Sequence, residues 1–183
     1  MFSWIVLIII VVVVSFAVAL YNSLIRLKNK TAEAWADIDV QLKRRYDLIP
    51  NLVETVKGYA KHEKGTFEEV AKLRSQAMQA TTPAEKAKTE NMLTETLKSL
   101  FALAESYPDL KANQNFLDLQ SQLSTIEETI QQSRRYYNGN VRDFNIKIET
   151  FPNNLIAGTL GFKKFDFFEV ANEKERESVK VEF

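Results

Sequence analysis

From Met1 to Ile25 the chain carries only Ser3, Ser15, Asn22 and Ser23 as clearly polar groups, and its first charged side chain is Arg26. At a rise of about 1.5 Å per residue, roughly 20 apolar residues cross a hydrocarbon core of about 30 Å, so Phe2 to Leu20 can span it as one helix. Ala17-Val18-Ala19 offers the small-x-small pattern that a signal peptidase cuts after. Against cleavage, no Lys or Arg precedes the apolar run, and its core merges into Ala17 to Leu20 without a polar break. The run is therefore read as a retained anchor that contacts membrane lipid through residues 1–25.

Beyond Leu24 the apolar positions fall into helical stripes. Leu24, Leu27, Thr31, Trp35, Ile38, Leu42, Tyr46 and Ile49 recur at steps of three and four, with no breaker between Leu20 and Ile49. The anchor is thus predicted to run straight into the first body helix as a stalk of fixed attitude. Pro50 removes a backbone donor and predicts a kink or short break near Ile49, after which the pattern resumes with Leu52, Val53, Val56, Tyr59 and Ala60. A second helix is predicted to continue through Phe67, Val70, Ala71, Arg74, Ala77 and Met78, weakened at Gly58 and Gly65. Thr82-Pro83-Ala84-Glu85 is a capping-box start for a third helix using Ala87, Leu93, Leu97, Leu100, Phe101 and Ala104 and stopping before Pro108.

Asn113 is the predicted cap of a last long helix. Phe116, Leu123, Ile130, Tyr137, Phe144 and Phe151 repeat every seven residues, with companions shifting from Leu119 and Ile126 to Val141 and Ile148. A stripe on a nearly straight helix precesses in this way, because 3.6 residues per turn drifts against a strict heptad. That favours a bundle helix over an extended coiled coil, ending at Pro152. The predicted fold is all-α: an N-terminal transmembrane helix over residues 1–25, an antiparallel three- to four-helix bundle over 26–152, and an aromatic-rich C-terminal segment over 153–183. In that segment Leu155 to Gly161 suits one or two helical turns, and Phe162, Phe165, Phe167 and Phe168 crowd into seven positions. They either cap the end of the bundle or form a contact surface for a second copy or for lipid, with Lys163 and Lys164 snorkelling. Ala171 to Ser178 reads as loose, and Val179, Val181 and Phe183 alternate with charges, as in a short strand or a frayed tail.

Charge and composition narrow the chemistry. Lys and Arg number six from Arg26 to Arg45 and none before the apolar run, so the positive-inside rule places the N-terminus outside and the body in the cytoplasm, at the inner membrane. The balance of 24 basic and 24 acidic residues leaves no electrostatic footprint for nucleic acid. With no cysteine there is no disulfide, thiolate metal site or Cys nucleophile, and few Gly and Pro favour long helices. His62-Glu63 begins a zinc-protease pattern, but Thr66 stands where its second His belongs and His62 is the single histidine. A di-iron bundle needs Glu-x-x-His on two helices, which one histidine cannot supply. No catalytic residue, metal or cofactor is expected. Arg44, Asp47, Asn51 and Glu54 form a polar stripe at steps of three and four across Pro50, readable as a solvated ion-paired face or as a recognition surface. Arg134 and Arg135 beside Tyr136 and Tyr137 are a further polar group that a bundle can turn toward that stripe.

Several blocks resemble the bacterial LemA family. They are Tyr21-Asn22, Glu33-Ala34-Trp35 with Asp37 to Arg45, Asp47 to Val53, Val56 to Tyr59 running to His62-Glu63, Tyr107 to Ala112, Arg134 to Asn138, Phe151-Pro152, Gly161-Phe162 and Phe168-Glu169. Two departures stand out: Tyr46, where the family often has histidine, and Ile126-Glu127-Glu128, in place of the usual Thr-Glu-Asn. The resemblance implies a single-pass membrane protein with an outside N-terminus and a helical-bundle body. The family has no established enzymatic activity, and some members occur alongside membrane zinc proteases. The functional expectation is a membrane-anchored scaffold that binds protein partners, such as a membrane protease or another envelope protein, and associates with itself. Its candidate surfaces are Arg44, Asp47, Asn51 and Glu54, and Phe162, Phe165, Phe167 and Phe168. The alternatives are a carboxylate-metal enzyme of bundle type and a lipid or envelope-stress binder.

Overall fold

The computed structural model describes residues 2–169. The order is α1 (Phe2–Lys57), α2 (Lys64–Gln79), α3 (Pro83–Ala104), a single turn α4 (Pro108–Lys111), α5 (Gln114–Glu149) and α6 (Asn153–Thr159). Among the described residues there is no strand, so the all-α prediction holds. The predicted loose segment from Ala171 to Ser178 and the alternating run from Val179 to Phe183 lie outside the described residues.

α1 continues as one helix through Pro50, so of the kink or short break expected near Ile49 the break does not occur. Pro50 has no N–H to donate to the Tyr46 carbonyl four residues back. Arg74 of α2 supplies that donor, with Nε 2.8 Å from the Tyr46 oxygen. The chain breaks later, over residues 58–63. There the N–H groups of Gly58, Tyr59 and Ala60 close back onto the carbonyls of Glu54 and Val56 at 3.3, 3.0 and 2.9 Å. The glycine weakens continuation by about 1 kcal/mol relative to alanine.

Two compact units divide the described residues: 2–40 with 131–167, and 41–130 with 168–169. In the second unit α2 and α3 pack as a hairpin. Phe67, Val70, Leu73 and Ala77 are the buried side of α2, one position away from the predicted Ala71, Arg74 and Met78, which leaves Met78 52% exposed. The opposing side of α3 is Ala87, Glu90, Leu93, Leu97, Leu100 and Ala104. α3 starts with the predicted box: the Glu85 N–H donates to Thr82 Oγ1 at 3.2 Å, and the Thr82 N–H donates to the Glu85 carboxylate at 3.3 Å. The backbone and hydroxyl of Thr82, with the Thr81 backbone after them, hold the Glu85 carboxyl below the usual carboxylate range. Asn113 caps α5 as predicted, its Oδ1 accepting from the Phe116 N–H at 3.1 Å. Its Nδ2 also donates to the Tyr59 hydroxyl at 2.9 Å.

In the first unit α1 and α5 run antiparallel: the earlier position on α1, Ser23, meets the later one on α5, Lys147, and the later positions Lys30 and Trp35 meet the earlier Tyr136 and Tyr137. Lys147 Nζ meets Ser23 Oγ at 2.6 Å, Lys30 sits over the Tyr136 ring, and the Trp35 ring lies 5.2 Å from that of Tyr137. The core is Leu24, Phe144, Ile148 and Ala157, bordered by Leu27, Ile156, Phe162 and Phe165. Burying a side chain such as Leu24 or Phe144 is worth about 1.5–3 kcal/mol. Of the seven-residue stripe on α5, Phe116, Leu123, Ile130, Tyr137 and Phe144 are buried, whereas Phe151 is 78% exposed. α5 has already ended at Glu149, and Phe151 lies in the turn before α6. The start of α1 is apolar and long enough to cross a membrane, and none of that stretch is buried by the rest of the chain.

Candidate functional site

A carboxylate removed from water needs a cation and hydrogen-bond donors, or it destabilises the fold. Glu90 has no exposed surface and stands in the apolar stripe of α3, between Ala87 and Leu93. Its Oε2 accepts from Arg45 Nη1 at 3.0 Å, and its Oε1 accepts from the hydroxyl of Tyr46. The Arg45 guanidinium, itself 3% exposed, also donates to Thr94 Oγ1 at 2.8 Å and pairs with Glu127 at 3.1 Å. α1, α3 and α5 are thereby joined by one cation between two carboxylates. Sequence reasoning placed Tyr46 in the core but passed over Arg45 and Glu90. The available signal was the six-residue gap from Ala87 to Leu93, which leaves Glu90 on the buried face.

Arg45, Thr94 and Glu127 also form one end of a groove between α3 and α5 of about 540 Å³. Leu97, Phe101, Leu117 and Leu123 are its apolar walls, and Lys98, Gln120, Ser121, Ser124 and Glu128 complete the lining. Leu117 remains 41% exposed there.

The predicted stripe of Arg44, Asp47, Asn51 and Glu54 lies on α1, and all four are exposed. Because α1 is unbroken at Pro50, they stay on one face. Asp47 pairs with Lys43 at 2.8 Å and Glu54 with Lys57 at 2.9 Å. Exposed pairs of this kind contribute about 0–1 kcal/mol.

The aromatic segment is held by side-chain-to-backbone bonds. Asn145 Nδ2 donates to the Phe165 carbonyl at 2.9 Å while its Oδ1 accepts from the Phe165 N–H at 3.0 Å. The Tyr137 hydroxyl donates to the Asp166 carbonyl at 2.9 Å. Burial, and then the nearby charge of Asp166, push the Tyr137 phenol up to about 12. Phe165 lies edge-on to Phe144 at 5.0 Å, and Phe162 contacts both Phe144 and Tyr21. The four predicted phenylalanines thus differ in role. Phe162 and Phe165 are half-buried in the α1–α5 cluster, Phe167 is 37% exposed, and Phe168 is 1% exposed and presents no surface. Arg134 is buried in α5 and Arg135 is exposed. Among the described residues, no three His, Cys, Asp or Glu side chains converge as a metal site.

Comparison with known proteins bears on this arrangement directly. The LemA family matches residues 34–183. The chain belongs to the LemA family. Protein LemA of Metamycoplasma hominis is 30% identical over 162 residues, covering 86% of this chain and 72% of the relative. Magnetosome protein MamQ 2 of Paramagnetospirillum magneticum is 23% identical over 175 residues, covering 81% of this chain, and the chain spans 64% of that protein's length. Magnetosome protein MamQ of Magnetospirillum gryphiswaldense is 20% identical over 174 residues with the same coverage, 81% and 64%. None of these names denotes a reaction. This chain is a membrane-associated helical protein.

Proposed function

We propose that this LemA family member is a single-pass, membrane-anchored scaffold that acts by presenting surfaces and catalyses no reaction. The observation that carries the reading is the continuity of α1: one helix holds an unburied apolar stretch and, without interruption, the buried positions Leu24, Ile38, Leu42 and Ile49. A helix that is both anchor and core strand of the bundle ties the body to the bilayer without a linker. The density of Lys and Arg just after the apolar run supports an outside N-terminus and a cytoplasmic body at the inner membrane. The most polar buried cluster, Arg45, Glu90 and Tyr46, is engaged in mutual hydrogen bonds, which suits a structural role.

The partner face proposed here is the α3–α5 groove, whose apolar walls end at charged residues, together with the exposed stripe of Arg44, Asp47, Asn51 and Glu54. Such a patch, an apolar centre with a polar rim, is the composition of a protein interface. A second copy of the chain and an envelope protein such as a membrane protease are the proposed occupants. Two relatives are named as magnetosome proteins, and neither name denotes a reaction. Reporter fusions test the topology: alkaline phosphatase should be active at the N-terminus, and a C-terminal green fluorescent protein should fluoresce. The reverse pattern rejects the orientation. Light scattering in mild detergent should give a mass of two or more chains, and Leu117→Glu with Phe101→Ser should reduce it; a wild-type monomer rejects self-association.

A further inference from the structure

Within the unit of residues 2–40 and 131–167, the exposed apolar run of α1 gives way to a cationic pocket with aromatic walls. Tyr21, Ile25 and Lys28 recur at steps of four and three and share one face of α1 just past Leu20. Phe144 of α5 and the segment from Leu160 to Phe165 close the other side around a cavity of about 470 Å³. Phe162 joins the two walls, 6.4 Å from the Tyr21 ring and 6.3 Å from that of Phe144. Lys28, Lys163 and Lys164 line the cavity. Glu149 pairs with Lys164 and offsets one of these charges, which leaves the rim net positive.

The depth of this pocket follows from a second contact. Lys147 Nζ lies 2.6 Å from Ser23 Oγ, so the end of α5, and α6 after it, stand at the level where the apolar run ends. There Phe151, Leu155 and Leu160 are 78%, 63% and 53% exposed. Exposed aromatic and aliphatic groups beside lysines, at the end of a spanning helix, match the interfacial zone of a bilayer, where apolar bodies enter lipid and ammonium groups reach the headgroups. A positive rim at that depth attracts anionic lipid specifically.

We propose that this pocket binds the phosphate-bearing headgroup of an anionic phospholipid of the bilayer, while Phe151, Leu155 and Leu160 rest in the interfacial layer. The site rests on the reading of Phe2 to Leu20 as a spanning segment. It assigns the aromatic segment to lipid, with the half-buried Phe162 and Phe165 as its inner wall.

Native mass spectrometry of the full-length chain in mild detergent tests it, with phosphatidylglycerol, phosphatidylcholine or inorganic phosphate added. Phosphatidylglycerol should bind at least about tenfold more tightly than phosphatidylcholine, each uncompensated lysine carrying about fivefold. The K28Q/K163Q/K164Q variant should lose that preference, and K72Q/K88Q, which removes charges from α2 and α3, should keep it. Equal binding of the two lipids, or equal loss in both variants, overturns the site. Displacement of the lipid by millimolar phosphate overturns a lipid occupant in favour of a soluble phosphate compound. Alkaline carbonate extraction separates the two readings: release of the chain from membranes refutes the anchor, whereas a retained chain without lipid preference refutes only the pocket.

Discussion

Glu90 shows how a single side chain can carry more of a fold's specificity than the stripe around it. Replacing Arg45 by Met takes the Arg45 cation away from a fully buried carboxylate, and the expected cost is about 3–5 kcal/mol. Urea denaturation should register it, and Glu90→Leu in the same chain should recover most of the loss, because an apolar residue needs no partner. The Tyr137 phenol makes a pH-dependent prediction. Its value of about 12 in the folded protein exceeds the ordinary 10, so between these values the folded state holds a proton that the unfolded state releases. Its contribution is therefore complete below pH 10 and is lost as pH rises toward 12. Absorbance at about 295 nm should show a tyrosine titrating near pH 12, and Tyr137→Phe should remove that step and this part of the alkaline loss while costing about 1 kcal/mol at neutral pH.

Helix boundaries were legible where local chemistry sets them and illegible where a distant residue does. Thr82 and Glu85 satisfy each other within one turn, and Asn113 caps its own helix, so both starts were visible in the sequence. Thr82→Ala should cost about 1 kcal/mol in thermal unfolding. The Glu85 carboxyl, held low, adds stability that is present above its ordinary range and fades as pH falls through its folded value. Pro50 is the opposite case, because the donor that replaces its missing N–H comes from Arg74, 28 residues away in the chain from Tyr46. Arg74→Met should therefore cost about 1–3 kcal/mol by removing the side-chain donor to the Tyr46 carbonyl. In a Pro50→Ala background the new N–H can take that carbonyl, and the same substitution should cost measurably less. Equal costs in the two backgrounds would show that the Arg74 bond does not compensate for proline.

For the whole molecule, the segment after Pro152 is part of a core. Phe162 and Phe165 pack on Leu24, Phe144, Ile148 and Ala157, so ending the chain at Pro152 should uncover that cluster and lower the melting temperature by circular dichroism. A tail that served only as an outer surface would leave it unchanged. Deleting residues 2–20 removes the exposed apolar stretch but none of the buried positions. The shortened chain should remain helical and leave the membrane on carbonate washing.

The apolar run, the helical periods, the caps and the absence of cysteine are local or compositional properties, and they determined the all-α class, the long apolar start of α1 and the starts of α3 and α5. They did so because a helix satisfies its own backbone and declares its buried face every three or four residues. Three matters were left to tertiary structure: which charged residues lie inside, where α1 ends, and how the phenylalanines divide between core and surface. A buried charge such as Glu90 has the composition of a surface residue and is stabilised by partners, Arg45 and Tyr46 among them, that packing brings to it. A phenylalanine likewise reads the same in sequence whether it packs on Phe144, as Phe165 does, or stays outside the core, as Phe151 does. Partners distant in sequence decide such positions, and only the folded chain brings them together.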